Sequence, residues 1–191
     1  MMRLRRGLMK SEHGATAVEF ALVFPLFLAF VLAIMDVSIY YFVAGQLQHG
    51  TVQAARAIRT GNLVGNTATD RDNFRALVCS HIKINLVGSC TTNVKVDVRS
   101  FTAFANIVLP ANIAAYDANG NGVIEDAETT FNTGGSSCPV VVRTFYNYTT
   151  IIPWLSQVFA GVIPHSSYLT SATAFRNEPH GLGASAVCSD F

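Results

Sequence analysis

The feature that most constrains this chain is an apolar run near its N-terminus. From Phe20 to Met35 it reads FALVFPLFLAFVLAIM without a charge, and past Asp36 it continues as VSIYYFVAG to Gly45. A helix of that length crosses a hydrocarbon core of roughly 30 Å with some tilt to spare. A core helix of a soluble domain is seldom apolar on every face, so the run predicts one membrane-spanning helix. Pro25 is tolerated there, with a kink, because neighbouring groups re-satisfy the freed backbone. Tyr40, Tyr41 and Phe42 stand near the far end, where aromatic rings favour the membrane interface. Asp36 admits two readings: an interfacial carboxylate reaching for water, or a contact with a partner inside the membrane.

The charges around the run set its direction. Arg3, Arg5, Arg6 and Lys10 precede it closely. The positive-inside bias then puts the N-terminus in the cytoplasm and exports everything after about residue 46. The apolar core is too long for a cleaved secretory signal, and no small-x-small cleavage site stands out beyond it, so a retained anchor is expected. The chain's 191 residues suffice for such an anchor plus one ordinary domain. Its net charge of +1 gives no general basic surface for nucleic acid.

Immediately before the run stands Gly14-Ala15-Thr16-Ala17-Val18-Glu19-Phe20. A short basic leader ends in glycine, and a lone glutamate follows. A carboxylate at the edge of the hydrocarbon is costly unless something neutralises it. Cleavage after Gly14 would free an α-amino group on Ala15, and that amine on a neighbouring subunit would neutralise Glu19. Small side chains at Ala15, Thr16 and Ala17 leave the bond open to a protease. The alternative is a flexible hinge at Gly14 and an ordinary first-turn carboxylate at Glu19, which suits the helix dipole.

This junction resembles the class III signal of type IV pilins, with Glu19 at the fifth position after the cleavage point. More closely, EHGATAVEFALVFPLFLAFVLAIMDVSIYYF resembles the TadE-like proteins of the Tad (Flp) pilus system. AARAIRTGN, from Ala54 to Asn62, is similar to their post-membrane helix. Phe175-Arg176-Asn177-Glu178-Pro179 is similar to a stretch in long members of that family. Phe20 is a departure, because Flp-type pilins often carry tyrosine there. The resemblance implies a place in the bacterial inner membrane and processing by a prepilin peptidase. It also implies contacts with other pilins or pseudopilins and with the Tad assembly platform, and a role in assembling the pilus rather than forming its bulk. On that reading Gly14 and Ala15 flank the cleaved bond, and Glu19 and Asp36 meet neighbouring subunits.

Beyond the membrane, Gln46 to Thr60 keeps helical residues, with Ala54, Ala55 and Ile58 at helical spacing and Gly50 as the one breaker. The helix is therefore expected to extend to about Thr60 and to stop at the Gly61-Asn62 cap. Arg56 and Arg59 on it are solvated or in contact with partners. Asp70 to Val87 suits an amphipathic helix begun by Asp70 or Asp72, with Phe74, Leu77, Val78 and Ile82 on its apolar face. Asn93 to Phe101 alternates strictly, with Val94, Val96 and Val98 facing in and Lys95, Asp97 and Arg99 facing out. Pro139 to Ile151 and Tyr168 to Arg176 read as two more strands, and Trp154 to Gly161 as a short helix after Pro153. The fold class is α+β: a long N-terminal transmembrane helix, then a small domain with an antiparallel sheet of three or more strands and short helices. The expected divisions are a cleaved basic leader at 1–14, the extended helix at 15–60 and the exported domain at 61–191.

Cys79, Cys90, Cys138 and Cys188 all lie after the apolar run and are even in number, which suits two disulfides in an oxidising compartment. A zinc site is disfavoured, since no CxxC or HxxxH spacing occurs. Three pairings are open. Cys79–Cys90 with Cys138–Cys188 is preferred, because the first would close a short loop and the second would staple the C-terminus.

Residues 117–128 match D-x-[DN]-x-[DN]-G-x5-E, the pattern of a calcium loop. Asp117, Asn119, Asn121, the Val123 carbonyl, Glu125 and Glu128 would supply the oxygens for Ca2+, and Gly122 the sharp turn. The competing reading is an Asn/Gly-rich turn between strands. No nucleophile elbow or phosphate loop occurs, and Gly181-Leu-Gly183-Ala-Ser185 lacks the lysine and helix a phosphate site needs. His81, His165 and His180 are isolated, so no enzyme is expected. A pilin-like assembly component is the leading reading, and a single-pass anchored binding module with a calcium-braced domain is the alternative.

Overall fold

The computed structural model describes residues 12–82, 89–110, 112–149, 166–179 and 188–190. Helix α1 spans Glu12–Arg59, α2 spans Ala68–His81 and the one-turn α3 spans Cys90–Asn93. Strand β1 is Val94–Ser100, β2 is Pro139–Thr149 and β3 is Ser166–Arg176. Two 3-10 turns, Phe104–Asn106 and Ile113–Ala115, lie between β1 and β2. The α+β class is as expected. The expected helix from Trp154 to Gly161 and the last two residues of the second expected strand lie outside the described residues.

The chain divides into two compact units. In the first, α1 runs up to Ile39 and carries Val18, Phe20, Leu22, Leu26 and Phe30 as exposed side chains. Its most apolar window has a mean hydropathy of 2.5, with none of it buried. Among the described residues this is the one helix long and apolar enough to span a membrane, which marks it as a single-pass anchor. Pro25 is accommodated inside the helix.

The second unit begins at Tyr40, within α1. From there the helix is amphipathic: Val43, Leu47, Thr51, Ala54, Ala55 and Ile58 are buried at helical spacing. The sheet is antiparallel in the order β1-β2-β3. Its register runs from Val94↔Tyr146 to Ser100↔Val140, and from Pro139↔Arg176 to Thr149↔Ser166. Because side chains alternate across a strand, Val94, Val96 and Val98 share a face with Val142, Thr144 and Tyr146. That face meets α1, where the Thr51 and Thr144 hydroxyls bond at 2.6 Å and Ser171 donates to Gln48 at 2.8 Å. Each fully buried valine there contributes about 1.5–3 kcal/mol.

The opposite face of the sheet is covered as well. The segment after β1 folds back over it, so that Tyr116, Ile124 and Phe145 form a buried cluster with Ile113 and Tyr168 against its edge. This overturns the outward placement of Asp97, which is 1% exposed. The alternation in the sequence is real, but it describes a sheet with one wet face, whereas this sheet lies between helices and a loop layer. The loop also covers the outer edge of β1: Val98 donates to the Thr130 carbonyl at 2.8 Å and Asn132 to the Val98 carbonyl at 2.9 Å.

Helix α2 begins earlier than the aspartates suggest. Thr67 is its N-cap and forms a capping box with Asp70, the reciprocal arrangement that satisfies two orphan N–H groups. The helix ends at His81, with Ile82 as the C-cap in extended geometry. Phe74 and Val78 are core residues, as expected, while Leu77 is only half-buried. Gly50 does not break α1. A Cβ there would lie 2.9 Å from the Val78 carbonyl and 3.1 Å from Ile82, so the glycine lets α2 cross α1 closely.

Candidate functional site

Gly14 and Ala15 lie inside the first turns of α1, which begins at Glu12. Glu19 is exposed. Asp36 is 2% exposed and so does not face water. Asp36 lies seventeen positions after Glu19 on the helix, about 26 Å along the axis, so the two carboxylates do not share one site.

At its far end α1 is held by the segment following β3. The helix stops where Gly61 takes a φ of +75°, a left-handed conformation open to glycine. Leu63 donates to the Ala57 carbonyl at 3.0 Å, closing the last turn. Glu178 then donates its N–H to the Arg59 carbonyl at 2.9 Å, and its carboxylate pairs with the Arg59 guanidinium at 3.2 Å. Asn177 is buried, and its amide donates to the Thr133 and Gly135 carbonyls. Asn177 and Glu178 therefore join the helix end to the loop before β2. The Glu178 contact with Arg59 on α1 spans over a hundred positions, which no local pattern reveals.

The cysteines pair as Cys79–Cys90 and Cys138–Cys188. The first ties α2 to α3, and the second ties the loop before β2 to the C-terminal segment. Nearby, exposed Asp190 accepts hydrogen bonds from the Thr102 hydroxyl and N–H, which hold its carboxyl below the usual carboxylate range.

Residues 117–128 form a loop knit around its own oxygens. Asp117 accepts the N–H groups of Asn121 and Gly122, at 3.0 and 2.7 Å. Asn119 accepts from Asn121 at 3.0 Å, and Asn121 accepts from Val123 at 2.7 Å. Glu128 reaches back across the loop, taking N–H bonds from Ala118 and Asn119 on one oxygen and Glu125 on the other. Gly120 and Gly122 have φ of +71° and +79°, which glycine adopts without strain. Shared N–H bonds thus tie Asp117, Asn119, Asn121, Glu125 and Glu128 into one loop, while among the described residues no three His, Cys, Asp or Glu side chains are gathered as a metal-holding group. Ile124 anchors it at 1% exposure, and the Ile124 N–H donates to the Tyr168 hydroxyl at 2.9 Å.

Beneath the loop layer lies a polar network. Asp97 accepts from Arg99 Nε at 3.0 Å, from the Tyr116 hydroxyl at 2.9 Å and from the Thr130 N–H at 2.8 Å. Arg143 donates to the Tyr116 oxygen and to the Pro110 carbonyl. Burial, and after it the Asp97 charge, push the Tyr116 phenol up from its ordinary value. A cavity of about 200 Å³ opens beside Tyr116 and Arg143. Of the three histidines considered, His81 bonds the Leu77 carbonyl and Ser80 on its own helix, while His165 and His180 lie outside the described residues, as does the Gly181–Ser185 stretch.

No curated protein and no solved structure matches the chain. Residues 14–56, which hold the Gly14 junction, Glu19, the apolar run and most of the amphipathic half of α1, match the family described as TadE-like protein.

Proposed function

We propose that the protein is a pilin-like component of a Tad (Flp) pilus system, anchored by α1 in the bacterial inner membrane with its N-terminus in the cytoplasm. On this reading the domain built on the second half of α1 faces the periplasm or the cell exterior. The single observation that carries the proposal is the match of residues 14–56 to the TadE-like family. The basic leader and the position of Glu19 support a prepilin-type pathway. A prepilin peptidase cleaves after Gly14, and the new amine of Ala15 on one subunit neutralises Glu19 of another at the edge of the hydrocarbon, where an unpaired carboxylate is costly. The protein works by assembly with other pilins or pseudopilins and the Tad platform, not by catalysis.

Intact mass of the protein purified from its native membrane tests this, beside a Gly14→Ala variant. The expected wild-type mass lacks residues 1–14, and the variant stays full length. A full-length wild type would remove the processing step and leave a single-pass anchored binding module.

A further inference from the structure

We infer that the loop from Asp117 to Glu128 is a calcium site, a property separate from the pilus reading. The donors are ordered by the sequence rather than gathered as loose acids: Asp117, Asn119, Asn121, the Val123 carbonyl, Glu125 and Glu128 occupy the first, third, fifth, seventh, ninth and twelfth places. Those places supply the oxygens of a twelve-residue calcium loop, with glycine at the sixth. The structure gives Gly122, at that sixth place, the positive φ the turn requires. Ile124, at the eighth, is buried against Tyr116 and Phe145.

The charges are distributed in the same sense. Asp126, which is not in the ligand order, is neutralised by Arg75 at 2.6 Å and Lys95 at 3.4 Å. Arg71 donates to the Asp126 and Thr129 carbonyls. Among the described residues, the three carboxylates that are in the order, Asp117, Glu125 and Glu128, bond only to N–H groups and to no cation. The cations of α2 and β1 thus brace the frame of the loop and leave the ligand oxygens to a metal. A carboxylate oxygen has a second lone pair, so it accepts an N–H and binds a cation together.

An all-oxygen set of carboxylates, amides and a carbonyl selects a hard cation over zinc or copper. Side chains of unequal length, Asp117 and Glu128 partly buried and Asn119, Asn121 and Glu125 exposed, suit the larger, more tolerant coordination of calcium better than the strict octahedron of magnesium. Because the loop is single and exposed, the affinity belongs to the extracellular class, with a Kd of about 10⁻⁴–10⁻³ M. Bound calcium braces the loop layer over the second face of the sheet.

The test is calorimetric titration of the full chain in detergent, stripped with chelator, against Ca2+ alone and then Mg2+ alone. Saturable Ca2+ binding in the stated range is expected, with Mg2+ at least about tenfold weaker. Glu128→Gln removes the bidentate ligand and weakens binding at least about tenfold. If that variant misfolds, Asn119→Ala serves instead, since among the described residues the exposed Asn119 side chain accepts only the Asn121 N–H; it weakens binding several-fold. No saturable Ca2+ binding, equal binding of Mg2+, or unchanged affinity in a folded variant overturns the inference. None of these outcomes bears on processing at Gly14.

Discussion

At Asp97 a carboxylate is withdrawn from water and surrounded by donors from three elements: Arg99 on its own strand, Tyr116 on the loop layer and Thr130 beside the strand edge. Removing one member of a buried ionic group leaves the others unpaired, at a cost of about 3–5 kcal/mol. Asp97→Ala is therefore expected to lose about 3 kcal/mol of stability in urea unfolding. An outward-facing Asp97 would change it by only a few tenths. Tyr116 reports the same network spectroscopically. Its phenol titrates above its ordinary value of 10.0, for burial first and the Asp97 charge second. A raised pKa stabilises the fold fully below that ordinary value, and the contribution is lost as pH rises from there through the raised one. In the Asp97 variant the ultraviolet titration midpoint moves part of the way back, because burial remains.

At the scale of elements, α1 performs two jobs with one continuous helix. Its first half is apolar around the whole circumference, and its second half keeps a buried stripe from Val43 to Ile58. Gly50 belongs to the second job. Gly50→Ala gains up to about 1 kcal/mol of helix propensity, but it drives a methyl into the backbone carbonyl of Val78. Overpacking of this kind costs about 1–3 kcal/mol. Because a carbonyl in a helix cannot yield as a flexible side chain does, net destabilisation is expected in urea unfolding. A variant as stable as wild type would show that the α1–α2 crossing is loose.

At the scale of the molecule, the two disulfides close very different loops, of sequence separation 11 and 50. If constraint of the unfolded chain dominates, the longer loop stabilises more, and removing a native disulfide costs about 2–5 kcal/mol. The double variant Cys138→Ser with Cys188→Ser is expected to lose more stability than Cys79→Ser with Cys90→Ser, in thermal unfolding of the detergent-solubilised chain. The Cys138–Cys188 bond also acts beside Asn177 and Glu178, so the pair holds the end of α1, the loop before β2 and the C-terminal segment in one piece.

The sequence by itself determined what depends on near neighbours along the chain. The long apolar helix follows from sustained hydrophobicity, its end from Gly61, the first strand from alternation and the other two from β-branched and aromatic content, and the calcium-like loop from fixed ligand spacing. Thr67 was legible too, as a threonine three residues before Asp70, although the aspartates drew the boundary inward. The tertiary structure decided what depends on residues far apart. The burial of Asp97 required a loop to close over the second face of the sheet. The value of Gly50 required a second helix to arrive against it, and the capping of the Arg59 carbonyl by Glu178 required β3 to return the chain to the end of α1. Local pattern encodes backbone preference and the side of an element that avoids water; which element then covers that side is set by long-range packing.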